Sequence, residues 1–303
     1  FDIDINDLLW GNATSQSHTL SINGGNDRNK FNFSIGYMND DSMLKVHDES
    51  SKRYNLRLNN DYNIAKWLDV SVNLSFDRRN TEYATYNANS ISGLPMGSPM
   101  ETPSGNLYSW GSNVSGYGKA KLGGTTSSFN NRFSVSVQPV FHILKGLDLF
   151  TRASIVNVDS RNTIETNQII WYNYSDTPSN SGAVIDPANN QVEKSSANKL
   201  RQEYQAYLEY KYSLNEKHSF KAMGGLSYEN YRTDAFSATG DKLSTGSIHS
   251  LNTASAITAE DAISEYALAS YFARLNYDYK GKYLVELLGR YDGSSRFAHG
   301  HRW

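Results

Sequence analysis

The sequence predicts an all-β fold: a transmembrane antiparallel β-barrel segment of about ten strands. Three observations carry that prediction. Apolar residues recur at every second position along most of the chain. Most segments that show this alternation reach the roughly 9 to 11 residues that a tilted strand needs to cross a bilayer, and the connections between them alternate between tight and long.

The stretch from Tyr271 to Phe297 shows the alternation most plainly. Tyr271, Ala273, Leu275, Tyr277 and Tyr279 project to one side of an extended chain, while Phe272, Arg274, Asn276 and Asp278 project to the other. After a tight turn at Lys280-Gly281, Tyr283, Val285, Leu287 and Tyr291 oppose Glu286, Arg290 and Asp292. A sheet with one apolar and one charged face is half-buried, either against a protein core or in lipid.

Composition favours lipid. The 303 residues are 38% hydrophobic with a mean hydropathy of -0.60, and no run approaches the roughly 18 apolar residues of a membrane helix. A helical membrane protein is thereby excluded. A barrel has the same low average, because only alternate strand residues meet lipid. The 21 Tyr, 12 Phe and 5 Trp suit girdles at headgroup depth. Absence of Cys removes disulfide and thiol chemistry, and a formal charge of -2 gives no electrostatic reason to expect a nucleic-acid partner.

Strands are expected over 15–24, 30–40, 52–63, 66–79, 128–139, 146–158, 199–213, 217–231, 265–279 and 282–292. Phe31, Phe33, Ile35 and Tyr37 oppose Asn32, Ser34 and Gly36; Leu68, Val70, Val72, Leu74 and Phe76 oppose Asp69, Ser71, Asn73, Ser75 and Asp77. Tyr204, Ala206, Leu208, Tyr210 and Tyr212 oppose Glu203, Gln205, Glu209 and Lys211. Short turns are read at Gly24 to Asn29, Asn63 to Ala65, Val140 to Lys145, Leu214 to Glu216 and Lys280-Gly281. Long loops are read at Asp41 to Ser51, Asn80 to Ser127, Asp159 to Asn198 and Arg232 to Ser264. In an up-and-down meander the two kinds fall on opposite rims, as short periplasmic turns and long extracellular loops do in outer-membrane barrels. The chain lacks an initiating Met and is expected to be an internal piece of a longer protein, a barrel segment over 1–303.

Site chemistry is sparse. Seven His are scattered, and His299 and His301 alone approach metal-ligand spacing. Gly111 to Gly116 fails the phosphate-loop pattern, since Lys119 lacks the required glycine offset. Glu203, Glu209 and Glu286 read as wall charges paired with Arg152, Lys211 or Arg290 rather than as acid and base. No catalytic group, metal or cofactor is expected, and the chain is not read as an enzyme. The long loops hold Tyr86, Tyr108, Trp110, Tyr117, Trp171, Tyr172 and Tyr174, whose rings either stack on a substrate or partner or anchor their loops. Asp292-Gly293-Ser294-Ser295-Arg296-Phe297 also has two readings. Asp292 and Arg296 line a substrate path, or, as preferred, Gly293 supplies a bulge while the two charges fix wall geometry.

This last motif resembles a signature of the SusC/RagA family of TonB-dependent outer-membrane transporters of Gram-negative Bacteroidetes. Asp4 to Trp10, Leu20-Ser21-Ile22-Asn23-Gly24-Gly25, Lys52 to Asn59 running into Lys66-Trp67-Leu68, and Ile143 to Leu147 resemble that family's successive strands and turns. The resemblance implies a multi-pass protein of the outer membrane, a 22-stranded barrel with an N-terminal plug and TonB box outside these residues. It further implies active import of oligosaccharides or peptides, energised by TonB, with a SusD-like lipoprotein lid docking on the long loops and not on the turns around Asn26, Asn215 or Gly281. Two rivals are a surface glycan-binding or adhesin β-protein without transport, and an outer-membrane hydrolase on a small barrel.

Overall fold

A computed structural model describes residues 5–86, 97–110, 113–175, 185 and 188–303. Asp4, residues 111 and 112 of the glycine-flanked stretch, and parts of two expected long loops, 87–96 and 176–184, lie outside the described residues.

Ten long strands form one antiparallel sheet in which every strand pairs with its neighbour in chain order. They are β1 (Ser15–Gly25), β2 (Asn29–Asp41), β3 (Ser50–Ala65), β4 (Leu68–Ala84), β7 (Thr125–Leu144), β8 (Leu147–Thr166), β9 (Gln191–Leu214), β10 (His218–Leu243), β11 (Ala254–Tyr279) and β12 (Tyr283–Ser294). Between β4 and β7 the chain makes a two-strand hairpin, β5 (Ser109–Trp110) with β6 (Asn113–Val114), and the helix α2 (Gly116–Leu122). A short helix α1 (Ile5–Leu9) precedes the sheet. No helix among the described residues is long and apolar enough to cross a membrane.

Register explains the two faces. Leu20, Ile35, Leu56, Phe76 and Phe133 lie opposite one another across β1, β2, β3, β4 and β7. Leu275 faces Leu287 on one side and Ala222 on the other. These apolar side chains are exposed: Leu20 at 58%, Leu275 at 44% and Leu287 at 62%. An apolar face this large and bare of protein requires lipid, which is the bilayer-facing orientation read from the sequence for Leu275, Tyr277, Val285 and Leu287.

Aromatic residues mark the edges of that apolar belt. Near the short turns, Trp67 stacks on Phe141, Tyr210 on Tyr212, and Tyr279 on Tyr283. At the opposite edge Tyr37 packs on Tyr54, and Tyr271 and Tyr291 pack on Trp303. Amphipathic rings at both edges match the two water interfaces of a bilayer.

The tight turns follow from local chemistry. Lys280 and Gly281 both adopt positive φ, as do Asn215 and Glu216, giving the left-handed turn geometry that matches strand twist. Asn26 closes the first turn by accepting from the backbone N–H groups of Arg28 and Asn29, each at 2.9 Å.

Strand ends depart from the expectation. β9 begins at Gln191 instead of 199, β10 runs to Leu243 instead of 231, and β11 starts at Ala254 instead of 265. Much of the expected loops Asp159 to Asn198 and Arg232 to Ser264 is therefore paired ribbon; the second shrinks to a link between Leu243 and Ala254. Beyond the belt both faces meet water, so apolar alternation stops, while the backbone ladder continues without regard to hydropathy. Register rows show the crossover: the row through Leu56, Phe76 and Phe133 continues through Asn157, Leu200 and Arg232 to Glu265.

Leu287 sits midway between the Tyr283 and Tyr291 rings on β12. Leu287→Arg is expected to destabilise the whole folded barrel by about 2 to 4 kcal/mol, against a much smaller effect for Glu286→Arg on the wet face. Denaturant titration in lipid vesicles measures both, and equal costs would refute the face assignment.

Because β1 and β12 are open edges, residues 1–303 expressed alone are expected to aggregate in plain buffer. Sedimentation as a monodisperse, cooperatively melting monomer would contradict this.

Candidate functional site: the inner wall and the outer cap

The face opposite the apolar belt is a connected polar wall. Arg53 donates to Asp77 at 2.7 Å, and His142 bridges Asp148 at 2.7 Å and Asp69 at 3.0 Å. Glu209, almost fully buried, accepts from Lys221 at 2.9 Å and Lys211 at 3.0 Å. Glu229 accepts from Arg201 at 3.0 Å and from the Tyr266 hydroxyl at 3.1 Å. Of the expected pairings, Glu209 with Lys211 forms. Glu286 instead accepts from Asn276, and Arg152 donates to Ser136 at 3.2 Å. Arg290 turns along its own strand to Asp292 at 2.6 Å, because residues two apart on a strand share a face. Glu203 lies 3.9 Å from Arg201. Such a wall stays wet, and its charges hold one another in place.

The same wall carries an aromatic stripe that alternation alone did not single out. Phe150 stacks on Tyr207 with centroids 4.8 Å apart, and Tyr207 meets Phe272 edge-on at 6.1 Å. Tyr207 reaches Phe272 by lying over Gly225 on the intervening strand β10, where a Cβ would strike it. The available signal was that Phe150, Tyr207 and Phe272 occupy polar-phase positions.

On the rim opposite the tight turns the loops fold into a cap with its own apolar core. Leu9, Leu44, Ala84, Met100, Leu107, Tyr117, Ala120, Ile169 and Trp171 form one buried cluster. α1 is tied down by a Trp10–Leu44 bridge and by Lys45, whose Nζ donates to the Asp7 carbonyl at 2.6 Å. Ser115 caps α2 by accepting from the Gly118 N–H at 3.2 Å. The absence of a side chain at Gly118 leaves room for the Trp171 indole against that helix. The loop after β8 joins the loop after β4 through Tyr172, whose N–H donates to the Leu107 carbonyl at 2.8 Å and whose carbonyl accepts from Ser109 at 2.9 Å.

Glu101 fixes the cap's polar side. It accepts from Lys121 at 2.6 Å and from the Tyr117 hydroxyl at 2.8 Å. The Lys121 ammonium, helped by Tyr117, holds the Glu101 carboxyl below the usual carboxylate range despite partial burial.

The loop aromatics divide by exposure. Trp171, Tyr117 and Tyr108 are buried, at 0%, 4% and 7% exposure, and anchor the cap. Tyr86, under the Lys119 ammonium, and Tyr172 are half-buried. Trp110 and Tyr174 present their rings to solvent, at 57% and 50%.

In the Asp292 to Phe297 motif, Asp292 and Arg290 pair on the inner wall and Arg290 also donates to Ser270 at 2.9 Å. Gly293 accommodates the Trp303 indole, which a Cβ would displace. Ser295 closes the strand end by exchanging hydrogen bonds with Ala267, and the Arg296 guanidinium stacks on Tyr266 at 4.2 Å. Phe297 is exposed. Among the described residues no group of three His, Cys, Asp or Glu is close enough to hold a metal.

No family model matches the chain. It is similar to TonB-dependent receptor P26 of Formosa agariphila, with 25% identity over 98% of this chain and 30% of that protein. The RagAB peptide importer is similar in its open-open state, with a TM-score of 0.78 and 24% identity over 98% of this chain and 33% of that one. In the closed-closed state the values are 0.76 and 25%, over 100% and 34%. The chain thus spans about a third of the length of the relatives it matches. Ten strands paired in chain order, a bare apolar belt, a wet inner wall and a loop cap on one rim are the features of an outer-membrane β-barrel wall, and in these the chain is similar to proteins named as TonB-dependent receptors and importers. Its likeness in sequence and fold is to about a third of the barrel chain of such proteins, RagAB among them.

Gly118→Ala tests the cap. Alanine improves helix propensity by about 1 kcal/mol, but forcing a methyl into the Trp171 contact costs roughly 1 to 3 kcal/mol. Net loosening is expected, read as faster protease cleavage of the cap with the barrel intact.

The Glu101 contribution to cap stability has a definite sign with pH. A carboxyl whose folded pKa is lowered stabilises fully above its unfolded value and loses that contribution as pH falls through the lowered one. Cap proteolysis should rise through that acidic window in the wild type, and Glu101→Gln should remove that component of the rise.

Proposed function

We propose that the chain forms part of the wall and mouth of an active importer in the outer membrane, powered through TonB and taking up oligosaccharides or peptides with a SusD-like lipoprotein as lid. The observation that carries this reading is the pairing of a wet, charge-networked inner face with a folded cap on one rim only. A passage needs a polar lining that binds solutes weakly and often, and charged side chains held by neighbours provide it without collapsing. Peptide uptake is named for RagAB, and the fold likeness supports the same class of passage here. Receptors called TonB-dependent among the relatives support the energy source.

Trp110 and Tyr174 are the residues proposed to meet lid or substrate, since both rings are largely exposed on the cap surface, Tyr174 held edge-on against the buried Tyr108. The stripe Phe150, Tyr207 and Phe272 is proposed as a sliding surface on the inner wall, where flat rings bind sugar faces or peptide side chains without demanding one sequence. A surface adhesin or glycan-binding protein without transport would bury its apolar strand faces against a second sheet, and the exposed belt argues against that.

Trp110→Ala combined with Tyr174→Ala in the whole receptor is expected to lower lid retention or uptake by about tenfold, the scale of truncating aromatic anchors. Surface abundance and heat-shifted gel migration should stay normal. Unchanged uptake and lid retention at normal abundance would remove these two rings from the proposal.

A further inference from the structure

One charged cluster on the other side of the wall has more cations than carboxylates, unlike the Arg232, Asp234 and Glu265 group in the same phase. Lys52, Arg78 and Arg161 project from the lipid-facing side of β3, β4 and β8, as their register places them in phase with Tyr54, Phe76 and Ile155. Lys52 and Arg78 each lie one outward position beyond a ring of the apolar belt, Tyr54 and Phe76, a step of about 6.6 Å along the strand. They stand where the acyl region ends and headgroups begin.

Two of these cations share one ring. The Arg78 and Arg161 guanidiniums lie 5.3 Å and 5.1 Å from the centroid of Phe129, which sits on β7 between them. Bringing two like charges to one ring is unfavourable unless an anion joins them. Arg78 donates through Nε to Asn80 at 3.1 Å and has no carboxylate at ion-pair distance among the described residues. Arg161 has a single long ion pair, with Asp159 at 3.6 Å, and stays 62% exposed. Glu82 borders the same groove, so the balance over Lys52, Arg78, Arg161, Asp159 and Glu82 is one positive charge. The groove has a volume of about 380 Å³ and is lined by Lys52, Arg78, Asn80, Ser127, Phe129 and Arg161.

We propose that this groove binds the phosphorylated headgroup of an outer-leaflet lipid, whose acyl chains run down the belt over Tyr54, Phe76 and Phe133. A phosphate presents several acceptor oxygens to two guanidiniums, each offering parallel donors in a fixed fork. Phe129 holds both guanidiniums from below by ring attraction and keeps their outer edges turned to the ligand. Continuity with the apolar belt makes the ligand an amphiphile rather than a free ion. The site rests on the membrane location of the sheet and is independent of what the lumen carries.

The test uses the whole receptor extracted from outer membranes in mild detergent. Phosphorylated lipid that stays bound is counted by native mass spectrometry for the wild type, for Arg78→Gln with Arg161→Gln, and for the control Lys199→Gln, an exposed lysine on the opposite face of β9. The double variant is expected to retain at least about fivefold less lipid, the control none less, with assembly checked by heat-shifted migration. Delipidated wild type is then titrated with purified outer-leaflet glycolipid, its dephosphorylated form and inorganic phosphate. Saturable binding of the phosphorylated lipid alone is the expected result. Equal retention by the double variant, equal binding of the dephosphorylated lipid, or displacement of the lipid by stoichiometric inorganic phosphate would each overturn the proposal. If the double variant fails to assemble, the two single variants and the wild-type titration decide between the same outcomes.

Discussion

Backbone hydrogen bonding in lipid is the constraint on which the rest of this structure depends. A peptide group facing hydrocarbon has no water to turn to, so each strand must pair on both sides. Pairing in strict chain order meets that demand with the shortest connections, and the interior strands of the sheet are all paired in this way. Once pairing is fixed, side chains have only two directions. One set takes lipid as solvent and the other takes water, and the charge networks of Glu209, Glu229 and Asp77 belong wholly to the second.

The protein therefore has two apolar phases that obey different rules. The belt is apolar because its solvent is apolar, and its side chains stay exposed at values that would be costly in water. The cap is the reverse case: Trp171, Leu9 and Ala120 are fully buried because that part of the chain stands in water and must make its own core. Hydrophobic burial stabilises the cap, while backbone pairing and lipid stabilise the wall. Loss of one need not unfold the other.

Alternation made the wall legible. All ten strands, the faces of β4 and β11, and the turn at Lys280-Gly281 follow from period two and from residues that tolerate positive φ. Where both faces are wet the same signal vanishes, and the upper ends of β9, β10 and β11 are read as loop although their ladders continue. The cap was legible only as a collection of aromatics. Nothing local marks Trp171 as buried, because its partners Gly118 and Leu107 lie more than fifty residues away in sequence and meet it through two separate loops. The stripe of Phe150, Tyr207 and Phe272 was visible as residues out of phase, yet its continuity depends on a glycine, Gly225, on the strand between. Choice among ion-pair partners was not legible, since Glu286 takes its register partner Asn276 across the ladder while Arg290 takes Asp292 along its own strand.

Strand length changes steadily around the sheet, from 13 residues in β2 to 26 in β10 and β11. All of these strands start from the side of the tight turns, so the excess of about a dozen residues stands above the belt on one flank only. At about 3.3 Å per residue and a tilt near 40°, the wall there rises roughly 30 Å higher than at β2. The rim of this segment is consequently a slope, with the cap seated toward its low end beside α1 and a tall, wet parapet at β9 to β11. Along this stretch the two flanks of the rim therefore stand at different heights above the bilayer, one held up by backbone pairing alone and the other closed by a packed core.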